Sequence, residues 1–220
     1  MARTTIAGGR GEARTVSRIE LLVQSRKFWT GVWPTLALLT ILLIDDALEW
    51  SERRFLTAAV ADETAHLLTA LLIITALPRR LSPVTVASTL AATVLIDLDH
   101  VPLLLGSNLL TQQTGRPVTH AMWTVALALI LAVTTGDRVR SALIGVSLGV
   151  ITHFIRDVAS TSAGVPLLWP LSSHGFTIPY AVYGTVLFAC WATLSWRVMP
   201  DSQVMMEATR PRDNERDMAS

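Results

Sequence analysis

A chain of 220 residues that is 51% hydrophobic and 16% charged, with a mean hydropathy of +0.46, carries more apolar surface than one soluble core can hide. A net charge of +1 gives no sign of a nucleic-acid partner, and none is expected. The single Cys190 lies in an apolar run, which excludes a disulfide framework and a thiolate metal site.

Six apolar stretches follow in chain order, at roughly 28–44, 58–77, 81–96, 118–135, 142–159 and 176–196. A span needs about 20 mostly apolar residues. The first, fourth and sixth stretches meet this cleanly, the third is short, and the second and fifth carry ionisable groups that must face inward. Breakers separate them at Pro78-Arg79-Arg80, Gly106 to Pro117, Gly136-Asp137-Arg138 and Gly164 to Pro170. The expected architecture is all-α, a polytopic membrane helical bundle of about six transmembrane helices. Residues 1–27 and 198–220 read as polar cytoplasmic tails, and 28–197 as the bundle that carries a metal site. No secretory signal peptide is read, because the first apolar stretch begins only near Phe28.

Lys and Arg set the expected orientation. With the N-terminus inside, Arg3, Arg10, Arg14, Arg18, Arg26, Lys27, Arg79, Arg80, Arg138, Arg140, Arg197, Arg210, Arg212 and Arg216 are cytoplasmic. Only Arg53, Arg54, Arg116 and Arg156 then lie outside. The bias predicts a multi-pass protein of the inner membrane with both termini in the cytoplasm. The same topology brings the polar ends of spans two to five to the extracytoplasmic side.

Those ends hold the histidines. Each of the five lies beside acidic or hydroxyl residues, in Asp62-Glu63-Thr64-Ala65-His66, Asp97-Leu98-Asp99-His100, Thr119-His120, His153 to Asp157, and Ser172-Ser173-His174. An ionisable residue at the centre of a membrane helix costs about 2.5–3.5 kcal/mol on insertion scales, so such clusters call for a partner, and a cation is the simplest. Residues three or four apart share a helix face, which pairs Glu63 with His66, Asp97 with His100, and His153 with Asp157. The expected metal ligands are His66, Asp97, His100, His120, His153 and Asp157. Imidazole and carboxylate without thiolate suit a divalent metal, zinc first, with manganese, iron or magnesium as alternatives. There are donors for two metals, and one metal backed by outer carboxylates fits equally. The competing reading is interhelical hydrogen bonding, or a polar cap where a helix leaves the membrane.

Asp99 or Glu63 is expected as general base. Arg116, Arg156 and His174 are expected to bind substrate, because guanidinium groups grip phosphate oxygens in a bidentate way. For the two arginines an ion pair with Asp157, Asp97 or Asp99 is the alternative; for His174 it is a simple loop before span six. Asp45, Asp46 and Glu49 spell D-D-x-x-E, which either holds magnesium–diphosphate or marks a solvated helix end. Trp29, Trp33, Trp50, Trp123, Trp191 and Trp196 fall near predicted interfaces. Trp169, between Pro166 and Pro170, is expected either to dip into the interface beside the site, where it could guide a lipid tail, or to lie in a packed loop.

Taken in order, His66, the D-x-D-H of Asp97 to His100, Arg116-Pro117-Val118-Thr119-His120-Ala121, His153 to Asp157 and the Gly164 to Pro170 run resemble the YdjM-like family of membrane-bound metal-dependent hydrolases. The resemblance covers about 62–170. Two positions depart from the family's pattern: Gly115 stands where a His is common, and Ala121 where a Ser follows the Thr-His pair. The family is distantly similar to zinc-dependent phospholipase C, which implies phosphoester hydrolysis.

The leading expectation is a membrane-embedded metal-dependent hydrolase acting on a phosphoester of a lipid or amphiphile at the extracytoplasmic side, with the bilayer as its other partner. One alternative is magnesium-dependent ionisation or cyclisation of a prenyl diphosphate. The other is a metal transporter or sensor. Oligomeric state is not legible.

Overall fold

The computed structural model describes residues 31–49, 55–107, 111 and 116–198. The tail assigned to 1–27, nearly all of that assigned to 198–220, and Arg53, Arg54, Trp29 and Trp50 lie outside them. The described helices are α1 (Gly31–Glu49), α2 (Phe55–Ala76), α3 (Pro83–Leu95), α4 (Val101–Leu104), α5 (Met122–Thr134), α6 (Asp137–Ser160) and α7 (Tyr180–Val198). A 3-10 turn over Ile96–His100 joins α3 to α4. Strands are absent among the described residues; two isolated bridges pair Thr111 with Pro117 and Val165 with Phe176. The protein is an all-α, polytopic membrane bundle.

Six of these helices match the six expected spans in order, with different limits. Gly31–Glu49, Thr57–Ala76, Pro83–Leu103 and Asp137–Ser160 are long and apolar enough to cross a bilayer. The first runs past Ile44 and takes Asp45 and Asp46 into the helix. The third reaches crossing length only by continuing through the 3-10 turn into α4. The fourth differs most, because the helix starts at Met122 and has 13 residues. Residues 118–121 are drawn into a turn instead, with the His120 N–H donating to the Pro117 carbonyl at 3.1 Å and the Met122 N–H to the Leu167 carbonyl at 2.8 Å. The last helix starts at Tyr180, since Phe176 is committed to its bridge with Val165.

Local chemistry explains the helix ends. Ser82 caps α3 by accepting the Thr85 N–H at 3.1 Å, and Pro83 occupies the first turn, where no N–H is needed. Arg140 donates to the carbonyls of Ala132 and Thr135, both at 3.2 Å, at the end of α5. Arg197 does the same for Thr75, Ala76 and Leu77 at the end of α2. Carbonyls at a helix C-terminus have no helical partner, and a guanidinium there also meets the negative end of the dipole.

Lipid is as apolar as leucine, so helices in a bilayer associate by close packing and hydrogen bonds more than by burial. The α3–α6 seam is built that way. Thr85, Thr89 and Thr93 line α3, and Gly145 and Gly149 face them from α6. A Cβ on Gly149 would lie 2.4 Å from the Thr89 carbonyl oxygen, and one on Gly145 2.5 Å from that of Thr85, so only glycine allows this approach. Thr93 Oγ1 then reaches the Gly149 carbonyl at 3.1 Å and Thr152 Oγ1 at 3.2 Å. Each such bond contributes about 0.6 kcal/mol on average within a membrane. A second cluster of Ala37, Ile41, Leu72, Tyr183, Leu187 and Leu194 packs α1, α2 and α7 together. Inside it, the Tyr183 hydroxyl is satisfied by Thr69 at 2.6 Å.

Candidate metal centre

Alternation of helix direction brings six segments to one end of the bundle: the end of α1, the first half of α2, the 3-10 turn, the turn before α5, the last third of α6 and the start of α7. Pro102 has no N–H to donate back to Leu98, and the chain tightens over Ile96–His100 into a 3-10 turn. In that geometry residues three apart eclipse. Asp97 and His100 therefore face the same way, with His100 Nδ1 3.4 Å from Asp97 Oδ1 and 3.0 Å from Asp99 Oδ1.

Two groups of donors form there. Asp97, Asp99, His100 and His120 make one, and His66, His153 and Asp157 the other; within each, one ligand atom per residue lies within 4.8 Å of all the others. Asp97 Oδ1 joins them, at 2.9 Å from His120 Nε2 and 3.5 Å from His153 Nε2. The His66 and His153 rings stack at 3.9 Å between centroids, and the His120 ring stands edge-on to His153 at 5.3 Å. His66, His120 and His153 are fully buried.

The hydrogen bonds define which atoms remain available. His153 Nδ1–H donates to the Thr93 carbonyl at 2.9 Å, which leaves Nε2 as a lone pair. That Nε2 is buried without a hydrogen-bond partner and faces carboxylate oxygens of Asp97 and Asp157, both at 3.5 Å. A lone pair between two carboxylates is repulsive until a proton or a metal ion lies among them. His100 Nδ1 and Asp99 Oδ1 are likewise buried and close without aligning as a hydrogen bond, and His66 Nδ1 and Glu63 Oε2 have no partner. Of these residues, Asp99 and His100 belong to the first donor group and His66 and His153 to the second.

His120, in the turn outside the helices, is held at both nitrogens: Nε2 by Asp97 and Nδ1 by Asp99 at 3.1 Å. Burial alone would lower its pKa, but the two carboxylates push it up to about 9. Asp99 Oδ2 also accepts a short bond from the Thr119 hydroxyl. One oxygen of Asp99 thus orients His120, in the manner of a carboxylate behind a metal-bound imidazole. The other oxygen stays free for an ion.

The arginines have partners among the acids. Arg116 donates to Asp157 Oδ2 and to Thr161 Oγ1, both at 3.0 Å, and keeps about a fifth of its side-chain surface exposed. Arg156 is 1% exposed; it binds Asp45 at 2.5 Å, bonds closely to Asp62, and lies 3.2 Å from His66 Nε2. Asp45 also accepts the Tyr180 hydroxyl at 2.7 Å. The solvated-end reading of Asp45 is therefore corrected, because an ion pair that ties α1 to α6 buries it. Asp46 and Glu49 stay exposed, so D-D-x-x-E does not converge on one cavity. His174 stands apart, exposed, with its ring edge-on to Phe176 and its N–H on Ser172 Oγ. Sequence reasoning missed Asp45 and Asp62 as partners of Arg156, and it missed the Thr93 carbonyl that orients His153. Asp62 had one signal, its i, i+4 spacing to His66; a backbone carbonyl had none.

The comparisons agree with the motifs. The model of the YdjM inner membrane protein family matches residues 62–211. Inner membrane protein YdjM of Escherichia coli (strain K12) is 32% identical over 141 residues, covering 57% of this chain and 71% of that protein, and the Shigella flexneri protein of the same name matches equally. No solved structure matches. The family match spans every proposed ligand from His66 to Asp157, and this chain belongs to the YdjM inner membrane protein family.

Proposed function

We propose that this protein is a metal-dependent hydrolase of the inner membrane that cleaves a phosphoester of a lipid or amphiphile. The observation that carries the reading is His153 Nε2, a fully buried lone pair aimed at Asp97 and Asp157 while Nδ1 is spent on Thr93. Imidazole and carboxylate donors favour zinc, with manganese or magnesium as alternatives. His66, Asp97, His100, His120, His153 and Asp157 would hold the metal, joined by the free oxygen of Asp99. A divalent ion there supplies a bound water of lowered pKa and polarises a phosphoryl oxygen.

The remaining groups have distinct tasks. Glu63 lies beside Asp97 with Oε2 free, a position for passing a proton between that pair and water. Arg116 is partly exposed and can turn from Asp157 towards a phosphate. Arg156 is enclosed between Asp45 and Asp62 and serves to position His66. The distribution of Lys and Arg supports an orientation with both termini in the cytoplasm and the site on the extracytoplasmic side.

The test is phosphate release by the full chain, zinc-loaded in mixed micelles, from lipid phosphate esters and prenyl diphosphates. Release is expected to fall at least about 100-fold in Asp97→Asn and His153→Ala. A loaded protein that frees no phosphate from either class would sink the hydrolase reading. A product with a rearranged carbon skeleton would replace it with prenyl chemistry, and zinc accumulation in vesicles would replace it with transport.

A further inference from the structure

The two donor groups differ in composition and surroundings, and that difference bears on how many ions the centre takes. In the first group, Asp97 and Asp99 with His100 and His120 supply two carboxylates and two imidazoles, and the side chains of Asp97 and His100 are partly exposed. Two carboxylates balance one divalent ion. In the second group, His66, His153 and Asp157 supply one carboxylate and two imidazoles in a nearly dry setting. Among the described residues, guanidinium groups stand against this group, Arg116 at 3.0 Å from Asp157 Oδ2 and Arg156 at 3.2 Å from His66 Nε2.

One ion in the first group would leave the second unexplained. His153 Nε2 would still face Asp157 Oδ2 without a hydrogen bond, with His66 Nε2 3.3 Å from the other oxygen of Asp157. Asp97 Oδ1 lies within 3.5 Å of an imidazole nitrogen from each group, the position of a bridging oxygen.

We infer that the centre is dinuclear, with Asp97 shared between a tight site at Asp99, His100 and His120 and a weaker one at His66, His153 and Asp157. The inference rests on the metal-dependent reading and adds the second ion. The weaker site owes its lower affinity to the two guanidinium groups, whose charge opposes a cation at close range. The same groups make it the side where a phosphate oxygen would complete the ion's shell, since Arg116 can follow that oxygen. Two-metal sites clamp the attacking and leaving oxygens of a phosphoryl displacement, which is the class of reaction proposed.

The experiment is zinc titration of the full chain, purified in detergent and stripped with chelator, against a chromophoric competitor, with bound metal counted by elemental analysis. Wild type is expected to take two zinc ions per chain in two steps, the second at least about tenfold weaker. His66→Ala and the milder His66→Gln are expected to keep only the tight ion, and Asp97→Asn to hold less than one. Manganese-loaded wild type is expected to give the resonance of a spin-coupled pair, as a shared carboxylate requires. Saturation of wild type at one ion, with an uncoupled manganese signal, overturns the dinuclear centre and leaves a mononuclear enzyme. Wild type that binds no zinc overturns this inference and the metal-dependent reading together. Wild-type stoichiometry decides the matter even if a variant fails to fold.

Discussion

The two ends of the bundle use arginine in opposite ways. At one end Arg140 and Arg197 spend their N–H groups on backbone carbonyls at the ends of α5 and α2, close to water. At the other, Arg116 and Arg156 are set among carboxylates, and Arg156 has lost nearly all contact with solvent. The first use closes helices and is satisfied by main chain that any sequence provides. The second needs particular acids on particular helices, Asp45 from α1 and Asp62 from α2, so a change at one position is felt on three helices. The sequence separates these four arginines by side of the membrane, and burial with the partner atom adds which cations end helices and which organise a centre.

Removing one arginine from each end separates the two uses most strongly. Arg156→Met leaves Asp45 and Asp62 without their cation, and losing one partner of a buried pair costs about 3–5 kcal/mol. Arg197→Met only returns exposed carbonyls to water, at about 1 kcal/mol or less. Thermal denaturation in detergent should order the variants with Arg156→Met far below Arg197→Met. Equal loss would mean that the acids around Arg156 are solvated.

The seam that carries His153 offers a smaller, graded test. Gly149→Ala places a methyl 2.4 Å from the Thr89 carbonyl oxygen and 3.0 Å from the Thr93 nitrogen, and overpacking of this kind costs about 1–3 kcal/mol. The Thr93 carbonyl must shift with it, so zinc affinity should fall about tenfold, as when an outer partner of a ligand is disturbed. Gly184→Ala, with nothing within 4 Å of the added carbon, is the control and should alter neither quantity. Unchanged zinc affinity in Gly149→Ala would remove Thr93 as the group that orients His153.

The smallest effect is one of pH. His120 has a raised pKa in the folded, metal-free protein, so its contribution to stability is complete below about 6.5 and is lost as pH rises through about 9. A metal needs the same nitrogen without its proton, so zinc affinity should increase across that window. Melting temperatures of stripped and zinc-loaded protein should therefore diverge from pH 6.5 to 9. Parallel curves would mean that His120 is not a ligand.

Much of this was legible before any coordinates. Apolar period and breakers mark six helical segments in the right order, four of them long and apolar enough to cross a bilayer, and i, i+3 or i, i+4 spacing puts Asp97 with His100 and His153 with Asp157 on common faces. What failed was local. Val118 and Ala121 are apolar enough to count as helix, which predicts a full crossing from 118; the Met122 N–H instead donates to the Leu167 carbonyl. Asp45 read as solvated because its partner lies 111 residues away, on a helix that only tertiary packing brings near. His174 shared the composition of the true cluster members but not their depth.

The brevity of α5 has a further consequence. Thirteen residues rise roughly 20 Å, while the hydrocarbon layer is about 30 Å thick, and the flank of this helix that shows Leu127, Ile130, Leu131 and Val133 is turned outward. A bilayer adapts to a short apolar element by thinning beside it. The headgroups next to Trp123 would then sink towards the level of His120, and an amphiphile could present its polar end to the acids while its tail stays among its neighbours. Such a dimple would spare the protein any need to lift a substrate out of the leaflet.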